Sequence, residues 1–243
     1  MNAIKISPNI YIIEDANFGT YNKNIVYRLL KQVQIDFASW IGNIVYQTSN
    51  CLVFYKDECP TIYDIREIGH RVCLHVNGDD WWRWTYQFAH EYCHHLINGP
   101  MSGGIKGLLW FEETMCDLSS IFHLRRLIAL CDVFQINSLL QYKIYARSCL
   151  HANLGTVQEN CQEYLKQHMV ELEQPVYHRE IYSNLSATML PLFVENPNLW
   201  KMILHIGDSR RWTSLEDLFV HLHRTSDNSY SHSLTKLENL LIS

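Results

Sequence analysis

No run of about 18 apolar residues occurs in the 243-residue chain, so no membrane-spanning helix is expected. The first 20 residues lack a cationic stretch followed by an apolar one, and no secretory signal is expected from them. Long runs of one charge are missing as well. The balance of 20 Lys+Arg against 25 Asp+Glu gives a formal charge of −5, which argues against a nucleic-acid binder working through a broad basic face. The eight cysteines (Cys51, Cys59, Cys73, Cys93, Cys116, Cys131, Cys149, Cys161) form no C-x-x-C pair, and several lie in apolar, regular-looking segments. Buried free thiols in a reducing cytosol are the expectation, and with it a cytoplasmic location. Repeats and low-complexity linkers are also absent.

What remains is a folding composition, 47% hydrophobic and 19% charged. A chain of this length buries roughly 70–75% of its unfolded surface. Three residue types are unevenly spread. Three of 13 histidines fall within 90–95, four of seven tryptophans within 81–110, and four of ten glycines within 99–107.

Short apolar runs at Ile10–Ile13, Ile44–Tyr46 and Cys51–Tyr55, and the alternation over Arg71–Val76, predict strands. Between the first two, Ile25, Leu29, Val33 and Phe37 repeat every fourth position, predicting a one-faced helix over 24–40. Asn77-Gly78-Asp79-Asp80 reads as a turn supplying an N-cap to a second helix, 81–97, which Asn98-Gly99-Pro100 ends. The glycine-rich stretch 99–107 is expected to be a mobile loop before a third helix over 110–130. Later segments at about 140–150, 157–173, 179–195 and 214–224 read as helices. The fold class is therefore α+β: an N-terminal lobe over 1–130 and a mainly helical C-terminal lobe over 131–243, sharing one core.

The 81–97 helix contains His90-Glu91-Tyr92-Cys93-His94, an H-E-x-x-H motif. Residues four apart share a helix face, so both imidazoles can reach one ion, with Glu91 one step round. Trp84, Phe88, Ala89, Tyr92, Leu96 and Ile97 bury most of this helix, and two histidines and a carboxylate there are costly unless paired or ligated. Zinc ligation satisfies them. A catalytic zinc has three protein ligands and an open position. Glu113, 19 positions after His94, supplies a third ligand, and Asp117 at its i+4 position can orient a ligand histidine through the second ring nitrogen. Glu112 is the weaker choice because its i+4 neighbour is Cys116.

H-E-x-x-H followed by E-x-x-x-D resembles the gluzincin zinc metallopeptidases. The run Arg71–Asn77, then Arg83 and Phe88-Ala89-His90-Glu91, is similar to the strand-turn-helix entry of the ImmA/IrrE-type metallopeptidases. The likeness covers about residues 70–125, with Tyr92-Cys93 standing where that group commonly has Leu-Gly. It implies a zincin-like N-terminal lobe, one Zn2+ held by His90, His94 and Glu113, and peptide-bond hydrolysis with Glu91 as general base. The implied partner is a peptide or protein substrate, neither nucleic acid nor membrane. Its backbone would lie along a sheet edge, the strand at 72–76 or at 51–55. Tyr145, Tyr177, His178 and Tyr182 are candidates for stabilising the oxyanion, and no spacing selects among them. The alternative is a catalytically silent protein in which zinc staples two helices and the cleft binds a regulatory partner.

Other residues near the motif read as packing. His95 points about 100° away from His94 on a helix, and Cys93 and Cys116 read as core. The Trp81-Trp82-Trp84 cluster reads as a lobe anchor, since only Arg83 interleaves with it. His221 and His223, two apart, do not share a helix face.

Overall fold

Three of the four expected strand segments join a single mixed sheet of five strands. The computed structural model describes residues 2–65, 68–99, 108–134, 139–174, 176–207 and 212–242, without the side chains of 131–134 and 139–142. The strands are β1 (Ala3–Lys5), β2 (Ile10–Ile13), β3 (Asn50–Tyr55), β4 (Thr61–Ile65) and β5 (Gly69–Leu74), in the order β1-β2-β3-β5-β4. The two inner pairings, β2 with β3 and β3 with β5, are parallel, and both outer pairings are antiparallel. Parallel neighbours need a crossover, and helix α1 (Lys23–Ile41) provides the one from β2 to β3. Ile12 lies beside Val53 and Val53 beside Val72; all three are fully buried. Gly69 opens β5 at φ +139°, where a Cβ would lie 2.0 Å from the Asn50 carbonyl oxygen, so β3 and β5 close only over a glycine.

Three expectations for this region change. Ile44–Tyr46 is not a strand but part of a 3-10 turn over Asn43–Tyr46. The Val45 carbonyl accepts from the Asn9 side-chain amide at 3.0 Å instead of entering a ladder. β3 and β5 are interior strands, so neither 51–55 nor 72–76 offers an edge; the edges are β1 and β4, neither of which the sequence pattern announces. Asp80 occupies the N-cap position of helix α2 (Trp81–Asn98) without a side-chain capping bond. Asp79 acts there instead, accepting from the Trp81 indole at 3.0 Å and from the Asn22 backbone at 2.8 Å.

Contacts divide the chain into two units: Met1–Ser102 with Ser119–Asn153, and Gly103–Leu118 with Leu154–Ser243. The division falls inside one continuous helix, α3 (Leu109–Phe134).

The first unit holds the sheet, α1, α2, the later turns of α3 and α4 (Leu139–Asn153). α1 buries Val26, Leu29, Leu30, Val33 and Phe37, the face its periodicity foretells. α2 is buried almost all round. Ser119 and Ser120 on α3 donate to the carbonyls of Ala89 (2.8 Å) and Tyr86 (2.9 Å) on α2, small residues that let the two helices approach closely. Arg126 grips Asp36 of α1 with two bonds of 2.8 and 2.9 Å.

The second unit contains the first turns of α3 with α5 (Cys161–Leu172), α6 (Arg179–Glu195), α7 (Ile203–Ile206), α8 (Leu215–Thr225) and α9 (Ser231–Leu241). The Ser186 hydroxyl donates to the Thr114 carbonyl at 2.8 Å, fixing α6 to α3. Gly155 lies so close to α6 that a Cβ would meet the Ser183 carbonyl carbon at 2.3 Å. The 157–173 helix begins only at Cys161, where Asn160 caps it. α9 and the helical stretch Pro197–Ile206 were not foreseen.

The stretch expected to be a mobile loop lies, over 100–107, outside the described residues. Among the described residues, no helix is long and apolar enough to cross a membrane.

Candidate metal centre

His90 and His94 stand one turn apart on α2, their ring centroids 5.0 Å apart at 66°. His94 is buried and His90 half-buried. α3 starts after Leu108, whose φ of +58° turns the chain into the helix. The serine bonds to Ala89 and Tyr86 then fix the helix beside α2. α3 runs unbroken from Leu109 through Ser119 and carries Glu113 on its second turn.

One ligand atom from each of His90, His94 and Glu113 lies within 4.8 Å of the other two. Among the described residues no other group of three or more His, Cys, Asp or Glu side chains meets as closely. A tetrahedral zinc with bonds near 2.1 Å holds its ligand atoms about 3.4 Å apart, a distance within reach of small side-chain rotations from this arrangement. Two imidazoles and one carboxylate also form a donor set suited to a divalent transition metal. The residues fit a metal ion, and Glu113 is the glutamate that joins the two histidines; Glu112 is buried, 1% exposed.

Glu91 is 3% exposed. Burial pushes up the thiols of Cys51 on β3 and Cys73 on β5, and the charge of Glu91 adds to both shifts. Glu91 therefore lies within electrostatic reach of the sheet, and those two thiols stay protonated beside it. Asp117, also buried, receives the hydroxyl of Tyr177 at 3.1 and 3.2 Å from its two carboxylate oxygens. The Tyr177 ring meets the Tyr182 ring edge-on at 5.1 Å. Burial raises the Tyr182 phenol, helped by the charges of Glu113 and Asp117.

The remaining singled-out residues divide cleanly. His95 is fully buried, with Nδ1 2.8 Å from Nδ1 of His70 and Nε2 3.1 Å from the Thr48 hydroxyl. Burial, with a smaller push from His70, lowers its pKa to about 3, so it packs as a neutral ring, stacked on Tyr92 at 5.3 Å. Cys93 and Cys116 are buried and in no disulfide. Of the eight cysteines, the side chain of Cys131 lies outside the described residues; the other seven form no disulfide and Cys59 is exposed. Trp84 is fully buried against Phe18 and Tyr21, its indole donating to the Gly78 carbonyl at 3.0 Å. Tyr145 is 59% exposed on α4. His178 precedes α6 half-buried, with its Nε2 shielded from solvent. His223 pairs with Glu238 at 2.8 Å, and His221 packs on Trp212.

Sequence reasoning missed the two serines that lock α3 to α2, the His70–His95 pair and the Tyr177–Asp117 bond. Of these residues Tyr177 is one of the four oxyanion candidates, Asp117 the ligand-orienting carboxylate and His95 a packing histidine; Ser119, Ser120 and His70 carry no signal. Comparison with protein-family models, with curated proteins and with solved structures gives no match.

Proposed function

We propose that the protein is a zinc-dependent metallopeptidase in which His90, His94 and Glu113 hold one zinc ion and Glu91 is the general base. The observation that carries this reading is the convergence of those three side chains, contributed by two helices, with an intact buried glutamate next to the first ligand. Zinc in such a site supplies Lewis acidity, polarising a peptide carbonyl and acidifying a water molecule. Glu91 takes the proton of the attacking water as its oxygen bonds the carbonyl carbon. It then passes that proton to the leaving nitrogen as the C–N bond breaks. Asp117 orients the ligand set. Substrate backbone adds to β4, the edge strand paired with β5, whose pattern of half-buried and exposed residues suits a strand open on one side.

The test combines metal content with peptide cleavage. Protein purified without chelators should carry about one equivalent of zinc, and His90→Ala or Glu113→Ala should lose it. Wild type should cleave members of a mixed peptide library, whereas Glu91→Gln keeps the zinc and loses cleavage. A zinc-free wild type sinks the reading. Full zinc occupancy without cleavage of any peptide supports the stapled, non-catalytic alternative, and activity surviving in Glu91→Gln removes that residue from its role.

A further inference from the structure

The geometry points to Tyr177 as a positioning residue of the metal centre, acting through Asp117; this rests on the metal-binding reading above. Its hydroxyl reaches both carboxylate oxygens of Asp117, 60 positions earlier in the chain, at 3.1 and 3.2 Å. A phenol has one proton, and here it is given to Asp117. That makes Tyr177 a holder of the carboxylate rather than a donor to a substrate oxygen. One proton shared between two carboxylate oxygens at these distances makes a long, forked bond, which restrains the orientation of the carboxylate by its geometry.

The holder is itself held. Tyr182, 2% exposed, packs its ring edge against Tyr177 at 5.1 Å and 71°. The Tyr182 hydroxyl lies 3.4 Å from the Val176 carbonyl, the residue just before Tyr177. Tyr177 is half-exposed while Asp117 is only 5% exposed, so the phenol reaches a carboxylate that is already out of solvent. Asp117 is one helical turn from Glu113 on α3, and the bond from Ser186 to the Thr114 carbonyl fixes α6, which Tyr177 precedes, against that turn. A carboxylate pinned at this position can neither rotate into solvent nor drift toward the metal as a competing ligand. Loss of the hydroxyl frees it to do both.

The experiment uses the full chain with Zn2+ and Co2+ as probes. Zinc affinity is measured by competition with a chromophoric chelator for wild type, Tyr177→Phe, Asp117→Ala and the double variant, with Co2+ visible spectra recorded in parallel. Removal of a residue that orients a metal ligand commonly costs about 10- to 100-fold in affinity, and Asp117→Ala should fall in that range. Tyr177→Phe, which keeps the ring and loses only the oxygen, should weaken zinc roughly three- to tenfold and shift the Co2+ bands, being one bond further from the metal. In the Asp117→Ala background it should change neither. Melting curves confirm that each variant folds. Zinc affinity of Tyr177→Phe within twofold of wild type overturns the proposal, as does an undiminished effect in the absence of Asp117. A wild type that binds no metal overturns this and the metallopeptidase reading together. Metal-binding wild type with a neutral Tyr177→Phe overturns this one alone.

Discussion

Acid should destabilise this fold through a buried histidine that lies outside the motif. His123 lies on the later turns of α3, 2% exposed, with Nδ1 2.9 Å from the Ser119 carbonyl oxygen and its ring against Phe37 and Trp40. Burial pushes its pKa down to about 4, more than the nearby charge of Asp36 and the Ser119 carbonyl can offset. In the unfolded chain the same imidazole titrates near 6.5. Between those values the unfolded state takes up a proton that the folded state refuses. The stabilising contribution is therefore whole above pH 6.5, falls as the pH drops through the window, and levels off near pH 4. A displacement of about 2.5 pH units corresponds to about 3 kcal/mol in all, of which about 2 kcal/mol is lost between pH 7 and pH 5. Urea unfolding of wild type and His123→Gln at both pH values, with chelator present to remove metal linkage, isolates this group from the others. The variant should be less stable at pH 7, and its loss on going to pH 5 should be smaller than that of wild type by about 2 kcal/mol. Equal losses in the two proteins would refute the assignment of a neutral, desolvated imidazole at this site.

Two glycines with positive φ give contrasting expectations. Gly69→Ala drives a Cβ into the Asn50 backbone and should cost more than about 3 kcal/mol in urea unfolding. Gly42→Ala, at φ +84° and ψ −172° with nothing within 4 Å of the new atom, meets backbone strain alone and should cost about 1–3 kcal/mol. Arg126→Met takes the cation from the Asp36 carboxylate, whose side chain is 5% exposed, and leaves it the Gln32 amide at 2.9 Å. The expected loss is about 2 kcal/mol in thermal unfolding, most of it recovered when Asp36→Leu is added. Zinc at about 1,000 times its dissociation constant should stabilise wild type by about 4 kcal/mol, an effect that EDTA reverses and Glu113→Ala abolishes.

The parts of the site that could be read from the sequence are those fixed by spacing along one helix. His90 and His94 share a face because four residues make about one turn, and Glu113 stands out from Glu112 through its own i+4 carboxylate. What spacing cannot supply is a partner 25 to 60 positions away. Ser119 and Ser120 look like polar interruptions in an apolar helix until their hydroxyls are seen on α2 carbonyls 30 and 34 positions earlier. His70 meets His95 only because β5 and α2 pack together. Much the same limit governs the sheet. Runs such as 51–55 and 72–76 look most like strands because they are apolar, and they can be apolar because neighbouring strands and helices cover them. The segments easiest to recognise are thus the ones least able to accept another strand. The longer of the two edge strands, Thr61–Ile65, mixes polar and apolar residues to suit water on its outer side, and that mixture is what hides it from the pattern.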